Sequence, residues 1–556
     1  MLDLPELLQK IFQDLEHHDL TQCAQVNKQW HALANLYLWR HIAWNCLGDE
    51  RRKEAFCRIV LEDYLQENGS EEEPPQPSTL SKYGHLIQLL PDPMILECAL
   101  GLQACTQQGN EPTGYDLLFQ LFKRSSEAQV QYIRYAFKEL ESDNMKSVLA
   151  FTLPRVRRLF IRASLQGTQS EFSELKRALD QCSTILEMLD VDISFLHAYE
   201  AVDMKDEAVD MKDEAAEDES ICWTSLKYLT LRHITDTWNA GPLWSWMWKR
   251  CNQVEKLVVR KIDQSTPSLV QAMLAYMPKL HEISIGGYSS PDSHTNPWDE
   301  MEDSVTAALL SGTRYGWKSV SVRATAKFGI ETMNTLAMHY STLERLFVEG
   351  GHDLPRCDVV QVLRSCPHLH TLIYTNSSNG SSVVDGKAFI DLDPDTGLLK
   401  PWLCEGSLKV LTVKITGIPR PDLKRNRRKR VFREAYRGQG REIQNQLYDR
   451  LGRLTKLETL QLGDGFGTLQ DSCLEMSLES GLDKLSGLKS MKELNVERSE
   501  TKIGIKEVQW MVENWPKLSA IYGLDGRGLD GRRKNFEAFE WLRENRPKIL
   551  VRRMLY

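Results

Sequence analysis

From residue 154 onward a phrase of the form L-x-x-L-x-L, with Leu, Ile, Val, Met or Trp at its apolar positions, recurs about twelve times. No other feature of the chain narrows its fold as much. The copies begin at Val156, Leu186, Leu226, Val254, Leu280, Trp317, Leu343, Leu369, Leu408, Leu457, Met491 and Leu518. Their spacings are 30, 40, 28, 26, 37, 26, 26, 39, 49, 34 and 27 residues, so the undecorated interval is 26 to 28. Apolar residues three and then two apart fit a short strand entered from a turn, with alternate side chains facing a core.

Several stretches between the phrases read as an amphipathic helix stopped just before the next strand: SLVQAMLAYMPKLHEI, DVVQVLRSCPHLHTL and EVQWMVENWPKLSAI. Each repeat is therefore one strand and one helix. Neither can bury its apolar face alone, so neighbours must stack. The expected fold class is α/β, a leucine-rich-repeat solenoid with parallel strands on the concave face and helices on the convex face. The longer intervals read as loop insertions. A doubly wound sheet also alternates strand and helix, but it rarely sustains twelve similar phrases.

At 556 residues the chain would suggest three or four domains, but a stack of repeats escapes that prior. Hydrophobic residues make up 42% and charged residues 26%, which excludes a disordered or collagenous chain. No apolar run approaches the length of a membrane span, and the N-terminus is acidic and amphipathic rather than signal-like. No membrane association is expected, and the expected location is cytoplasmic, nuclear or both. The twelve cysteines are scattered with no C-x-x-C pair, so they read as reduced core residues. The net charge of −8 is supplied by an acidic insertion at 200–219, with ten acidic and two basic side chains. The remainder is near neutral, and a nucleic-acid partner is not implied. A basic insertion spans 420–433 and contains KRNRRKR at 424–430, which reads as a solvated loop, with a nuclear-import or polyanion-binding patch as the alternative. Phosphate-loop, dinucleotide, nucleophile-elbow and zinc-helix signatures are all missing. The chain is expected to be no enzyme, with no catalytic residue, no metal site and no cofactor.

Ahead of the repeats the chain divides into residues 1–45, a helical extension and Pro/Glu-rich linker at 46–82, a helical entry region at 83–153, and the repeat domain at 154–556. Asp3-Leu4-Pro5 marks a helix start, and Leu7, Leu8, Ile11, Phe12 and Leu15 follow at helical spacing. Asp19 is placed to cap a second helix carrying Leu20, Cys23, Val26 and Asn27 on one face, and Trp30, Leu33, Leu38 and Trp39 continue the series into a third. His17-His18 is placed in the turn between the first two helices. In the entry region, helices are expected around 94–105, 115–123 and 128–140.

The stretch LPELLQKIFQDLEHHDLTQCAQVNKQWHALANLYLWRHI resembles the F-box: Leu-Pro at the start, Ile-Phe and a Leu in the first helix, Asp-Leu, then Val, Trp and a final Leu-Trp, in order over residues 3–42. With the repeats behind it, the chain is similar to the F-box and leucine-rich-repeat proteins. The resemblance implies a substrate receptor of a Skp-cullin-F-box ubiquitin ligase, whose F-box docks on the Skp-type adaptor, and through it a cullin, while the repeats hold a protein substrate. By the same resemblance Leu4, Pro5, Leu7, Ile11, Leu15, Leu20, Val26, Trp30 and Trp39 face the adaptor or hold the three helices together. The alternative is a repeat scaffold that assembles proteins without promoting their degradation.

A substrate surface follows from strand geometry. The position after the last apolar residue of each phrase points to the open sheet face. In the first six copies it holds Arg162, Asp192, Arg232, Arg260, Gly286 and Arg323, with Lys256 beside Arg260. Guanidinium groups match carboxylate and phosphate geometry, so an acidic or phosphorylated substrate segment is expected on Arg162, Arg232, Lys256, Arg260 and Arg323.

Overall fold

The computed structural model describes scattered positions between 12 and 38, residues 58–63, 65 and 133–136, and then 157–165, 169–181, 185–195, 222–234, 241–262, 267–287, 301–313, 315–350, 359–376, 383–418, 430–462, 474–496, 503–524 and 536–552. The acidic insertion, the linker at 66–81 and the helices expected at 94–105 and 115–123 lie outside these residues. The chain divides into two compact units, Met1–Val254 and Glu255–Tyr556.

In the first unit, Phe12 is helical, α1 spans His17–Cys23, and positions 28, 30, 34 and 38 are helical again, separated by a bend at Leu15 and a turn at 24–26. Three helical stretches agree with the expectation, although His17 and His18 begin α1 rather than forming the turn before it. Asp19 consequently sits in the first turn of α1, where its charge still complements the helix N-terminus. Strands β1 (Ile133–Ala136), β2 (Arg158–Leu165), β3 (Met188–Phe195) and β4 (Tyr228–His233) follow, pairing in sequence order and in parallel where the register is defined. Helix α2 (Gln169–Gln181) connects β2 to β3, and α3 (Gly241–Arg250) follows β4. β1 falls where a helix over 128–140 was expected. Ile133 and Tyr135, with Tyr132 and Phe137 beside them, are β-branched and aromatic types that suit a strand, and an available parallel edge on β2 decides between the two periods.

In the second unit β5 (Lys256–Val259), α4 (Pro267–Ala275), β6 (Glu282–Ile285), α5 (Asp303–Ser311), β7 (Ser319–Val322), α6 (Ile330–Ala337), β8 (Arg345–Gly350), α7 (Val359–Ser365) and β9 (Thr371–Asn376) alternate strictly. Next come β10 (Val383–Asp385), α8 (Gly386–Ile390), β11 (Val410–Thr412), β12 (Lys414–Thr416), α9 (Arg430–Gly452), β13 (Thr459–Gln461), β14 (Glu493–Asn495), α10 (Ile505–Asn514), β15 (Ala520–Tyr522), α11 (Phe536–Asn545) and β16 (Leu550–Arg552). The sheet runs β5-β6-β7-β8-β9-β11-β13-β14-β15-β16, parallel throughout, while β10 and β12 form a separate parallel pair. Helices of successive repeats pack on one another, as α4 on α5 and α5 on α6.

Every strand expected from the phrase forms, starting two residues after the first apolar position. Residues such as Leu280, Ile283 and Ile285, or Leu343, Leu346 and Val348, are at most 2% exposed. At about 1.5–3 kcal/mol for each fully buried aliphatic side chain, these triplets dominate the favourable side of folding. Polar links tie one repeat to the next as well. The Asp303 carboxylate, in the first turn of α5, accepts hydrogen bonds from the main-chain N–H groups of Gly329, Glu331 and Thr332, thereby capping α6.

Two long intervals expected to be loops are built structure. The 39-residue interval after Leu369 holds β10, α8 and a turn closed by Gly397 N–H donating to Asp393 O and Asp393 N–H to Leu398 O. The 49-residue interval holds β12 and the 23-residue helix α9, so the basic insertion expected at 420–433 ends inside a helix that begins at Arg430. The two are clamped by Arg450. Its side chain is fully buried, donates to the carbonyls of Ile390 and Lys400 at 2.7 and 2.5 Å and to Glu405 Oε1 at 3.0 Å, and stacks on Trp402 with 4.4 Å to the ring centroid. Burial, with a smaller push from the Arg453 charge, lowers the guanidinium pKa, and the Glu405 charge opposes that shift.

His339 is also buried, its Nε2 lying 2.9 Å from Leu310 O, and desolvation holds its pKa below the ordinary 6.5. Two stability predictions follow. Replacing Arg450 by Ala strands the buried carbonyls and the Glu405 carboxylate, and should destabilise the second unit by about 3–5 kcal/mol in urea unfolding. Because folded His339 binds a proton less readily than unfolded His339, its contribution is complete above pH 6.5 and is lost as pH falls through the depressed folded value. Melting temperature should therefore drop on acidification below about pH 6.5, with a shallower slope in His339→Gln.

Candidate protein-binding surfaces

The first surface lies on the N-terminal helices. Phe12, Leu20 and Ala34 form a small buried core against which Leu15, Cys23, Ala24, Trp30 and Leu38 pack, and the Phe12 and Trp30 rings meet edge-on at 5.5 Å and 73°. Among the described residues this is a small core, and a helical module of some 40 residues gains from a partner that covers an apolar face. Val26 marks that face. It follows α1 in a turn fixed by its N–H donating to Cys23 O, and it is 60% exposed. Of the positions given by the F-box resemblance, Leu15, Leu20 and Trp30 therefore serve the core, and Val26 is displayed. Leu4, Pro5, Leu7, Ile11 and Trp39 lie outside the described residues.

The second surface is the sheet face opposite the buried triplets. In the first unit Arg162 sits on β2 opposite Asp192 of β3, its side chain outside the described set. Arg232 is engaged within the sheet. Its Nε and one terminal nitrogen each donate to Asp190 at 2.9 Å, and its guanidinium lies 4.4 Å from the centroid of Phe160, which it covers. The bidentate pair and the cation–π contact together hold Arg232 flat on the strands.

In the second unit Lys256 pairs with Glu282 at 3.6 Å, and Arg345, which the column of positions after the phrase did not include, pairs with the same carboxylate at 2.6 Å. Glu282 thus bridges the cations of β5 and β8, with Arg345 also donating to Ser319 Oγ on the strand between. Arg260 is exposed, and Arg323 is half-buried on the far side of Gly286. Of the five cations expected to act as one set, Arg232 and Lys256 are bound into cross-strand pairs, Arg260 and Arg323 follow the ends of β5 and β7, and the Arg162 side chain lies outside the described residues. The signal for this division was the acid at Asp190 and at Glu282, each on the strand beside its arginine or lysine partner.

Cys251, Cys366 and Cys404 are buried and free, and burial pushes the Cys366 and Cys404 thiols up to about 12, which suppresses thiolate reactivity. Among the described residues no cluster of three His, Cys, Asp or Glu side chains is placed to hold a metal, and no helix is long and apolar enough to cross a membrane.

The family model for F-box-like domains matches residues 2–43. No curated protein matches the chain. Among solved structures, a protein from Bacteroides fragilis aligns at 11% identity and a TM-score of 0.29, over 56% of this chain and 78% of its own. A chain from the yeast Rad7 and Elc1 complex aligns at 12% identity and a TM-score of 0.28, over 59% and 80%. With scores this low, the fold is carried by the strand pairing described above.

Val26 and Trp30 should separate surface from core. Trp30→Ala removes the partner of Phe12 and should lower the stability of the N-terminal helices by about 3 kcal/mol. Val26→Asp should leave the melting temperature within about 2 °C, because the side chain is already in water. A large destabilisation by Val26→Asp would place this residue in the core.

Proposed function

We propose that the chain is the substrate-recognition subunit of a Skp-cullin-F-box ubiquitin ligase, binding a Skp-type adaptor through residues 2–43 and a protein substrate through the sheet face of its repeats. The observation that carries this reading is the coincidence of the F-box-like match with a helical core beside which Val26 is exposed. An isolated apolar side chain is ordinary on any surface. On a helical trio of this size, within a recognised docking domain, it serves as an anchor for a partner. The repeats support the other half of the function, since a stack of parallel strands exposes a row of side chains from each repeat on one continuous face within a unit. The chain contributes placement and not bond chemistry. The Skp-type adaptor links it to a cullin, and the complex acts in the cytoplasm or nucleus.

Affinity purification of the full chain should recover a Skp-type adaptor and a cullin in near-stoichiometric amounts, and Val26→Asp should weaken adaptor retention by about 1–3 kcal/mol, or roughly 5- to 150-fold. Purification of the intact chain without any Skp-type adaptor would leave the scaffold reading in its place.

A further inference from the structure

We propose that the edge of the second unit formed by the turns entering β11, β13, β14, β15 and β16 is a docking surface for an extended polypeptide segment rich in Asp and Glu. This goes beyond the receptor reading and does not depend on it, because the edge is built from the turns that precede the strands.

The forked main-chain contacts fix the order of these turns. Lys409 O accepts from Glu458 and Thr459, Glu458 O from Lys492 and Glu493, Lys492 O from Ser519 and Ala520, and Ser519 O from Leu550. The turns therefore lie side by side at the strand spacing of about 4.8 Å, about 19 Å from first to last. Residues 405–410, 452–459, 487–493, 515–520 and 546–550 hold eight exposed cations against the three carboxylates of Glu405, Glu458 and Glu493, a local charge of +5 in a chain whose net charge is −8.

Three of these cations serve the fold. Arg453 and Arg546 directly follow α9 and α11, where a cation complements the helix C-terminus, and Lys489 Nζ donates to Asn514 O at 3.1 Å. Lys409, Lys456, Lys517 and Lys548, by contrast, make no side-chain hydrogen bond or ion pair among the described residues. The turn itself does not require them. Lys456, Lys517 and Lys548 stand directly before Leu457, Leu518 and Ile549, whose N–H groups close the turns. In front of β6 to β9 the same place holds Lys279, Gly316, Thr342 and His368.

One carboxylate already sits on the edge, and its surroundings show what the lysines suit. Glu458 Oε2 receives Lys492 Nζ at 2.6 Å. That hydrogen bond, followed by the charges of Lys492, Lys409 and Lys517, holds the Glu458 carboxyl below its ordinary 4.5 against an opposing push from desolvation. Three ammonium groups around one carboxylate leave a charge of +2, to which Lys456 and Lys548 add two more.

The surroundings of the lysines select a polypeptide. Single-stranded nucleic acid binds where aromatic side chains stack its bases, and the one aromatic residue of these turns, Trp515, is 1% exposed. A membrane surface takes apolar side chains in beside the cations, and in these turns Leu550 alone, at 39%, is a large exposed apolar residue. Lysine ammonium groups are mobile point charges without the planar fork that reads a phosphate. Carboxylates on an extended chain, advancing about 3.3 Å per residue, cross the 19 Å in about six residues.

Anisotropy of a fluorescein-labelled Gly/Ser peptide carrying a run of about six glutamates, titrated with the full chain, tests the proposal. The peptide should bind about tenfold more tightly than its glutamine counterpart, and its affinity should fall as salt is raised. Lys456→Gln, Lys517→Gln and Lys548→Gln together should weaken it about tenfold, whereas the same loss of charge at exposed Lys249, Lys387 and Lys506 should change it by less than about twofold. A second readout needs no substitution: the bound peptide should protect Lys456, Lys517 and Lys548, but not Lys387 or Lys506, from a limiting amine-acetylating reagent. Equal binding of the glutamine peptide, equal losses in the two triple variants, unselective protection, or tighter binding of an oligothymidylate of the same charge would each overturn the proposal. None of these outcomes bears on adaptor binding, so the receptor reading stands or falls separately.

Discussion

One main-chain carbonyl in each repeat does the work of joining it to the next. Glu255 O accepts from the N–H groups of both His281 and Glu282, His281 O from Lys318 and Ser319, Lys318 O from Glu344 and Arg345, and the series continues through Glu344, His370, Lys409, Glu458 and Lys492. In the first unit Arg157 O and Glu187 O make the same forked contact. The accepting residue is always the one directly after the first apolar position of the phrase, so register between repeats is fixed before the strand proper begins. A slip by one residue would turn every buried triplet toward solvent, and the forked bond makes that slip costly in hydrogen bonds as well as in apolar area. This recurring bond, more than any side-chain pair, allows repeats of very different length to share one sheet.

Because register is secured at the strand entry, the connections are free to diverge, and the chain uses that freedom between β9 and β13. There an insertion takes the place of a simple helix, and Arg450 holds it by saturating the carbonyls of Ile390 and Lys400. Asp391 adopts φ +54°, an uncommon choice for a residue with a side chain, and its carboxylate receives a bidentate ion pair from Arg364. The strain at Asp391 is small and is offset by that charge-assisted pair.

The phrase made the strands legible because three apolar positions at fixed offsets survive whatever lies between copies. The same rule could have found β16. The turn that ends with Leu280 N–H donating to Met277 O, and with Leu518 N–H donating to Trp515 O, recurs where Ile549 N–H donates to Arg546 O, and all three carry Pro-Lys in the middle. β1 was hidden because four residues with aromatic neighbours satisfy a helical period as readily as a strand. β10, α8 and α9 were hidden because their stability comes from Arg450 and from packing on one another, which no local pattern records. For the site, the residues that flank the core were visible by periodicity, but the pairing of Arg232 with Asp190 needed the register of β3 against β4, with its shift between Val191 and Asp192.

The open sheet face consequently carries charges that are tied to one another across the strands. Side chains within the strands stand about 5 Å from a neighbour on each side, so Arg232, Lys256 and Arg345 each find an acid on the same sheet. Such pairs flatten the side chains on the sheet and cancel their field over a few ångströms. A basic residue paired across the strands therefore contributes to cohesion between repeats, and Arg232 does so from the same column of the phrase that holds Arg260 and Arg323.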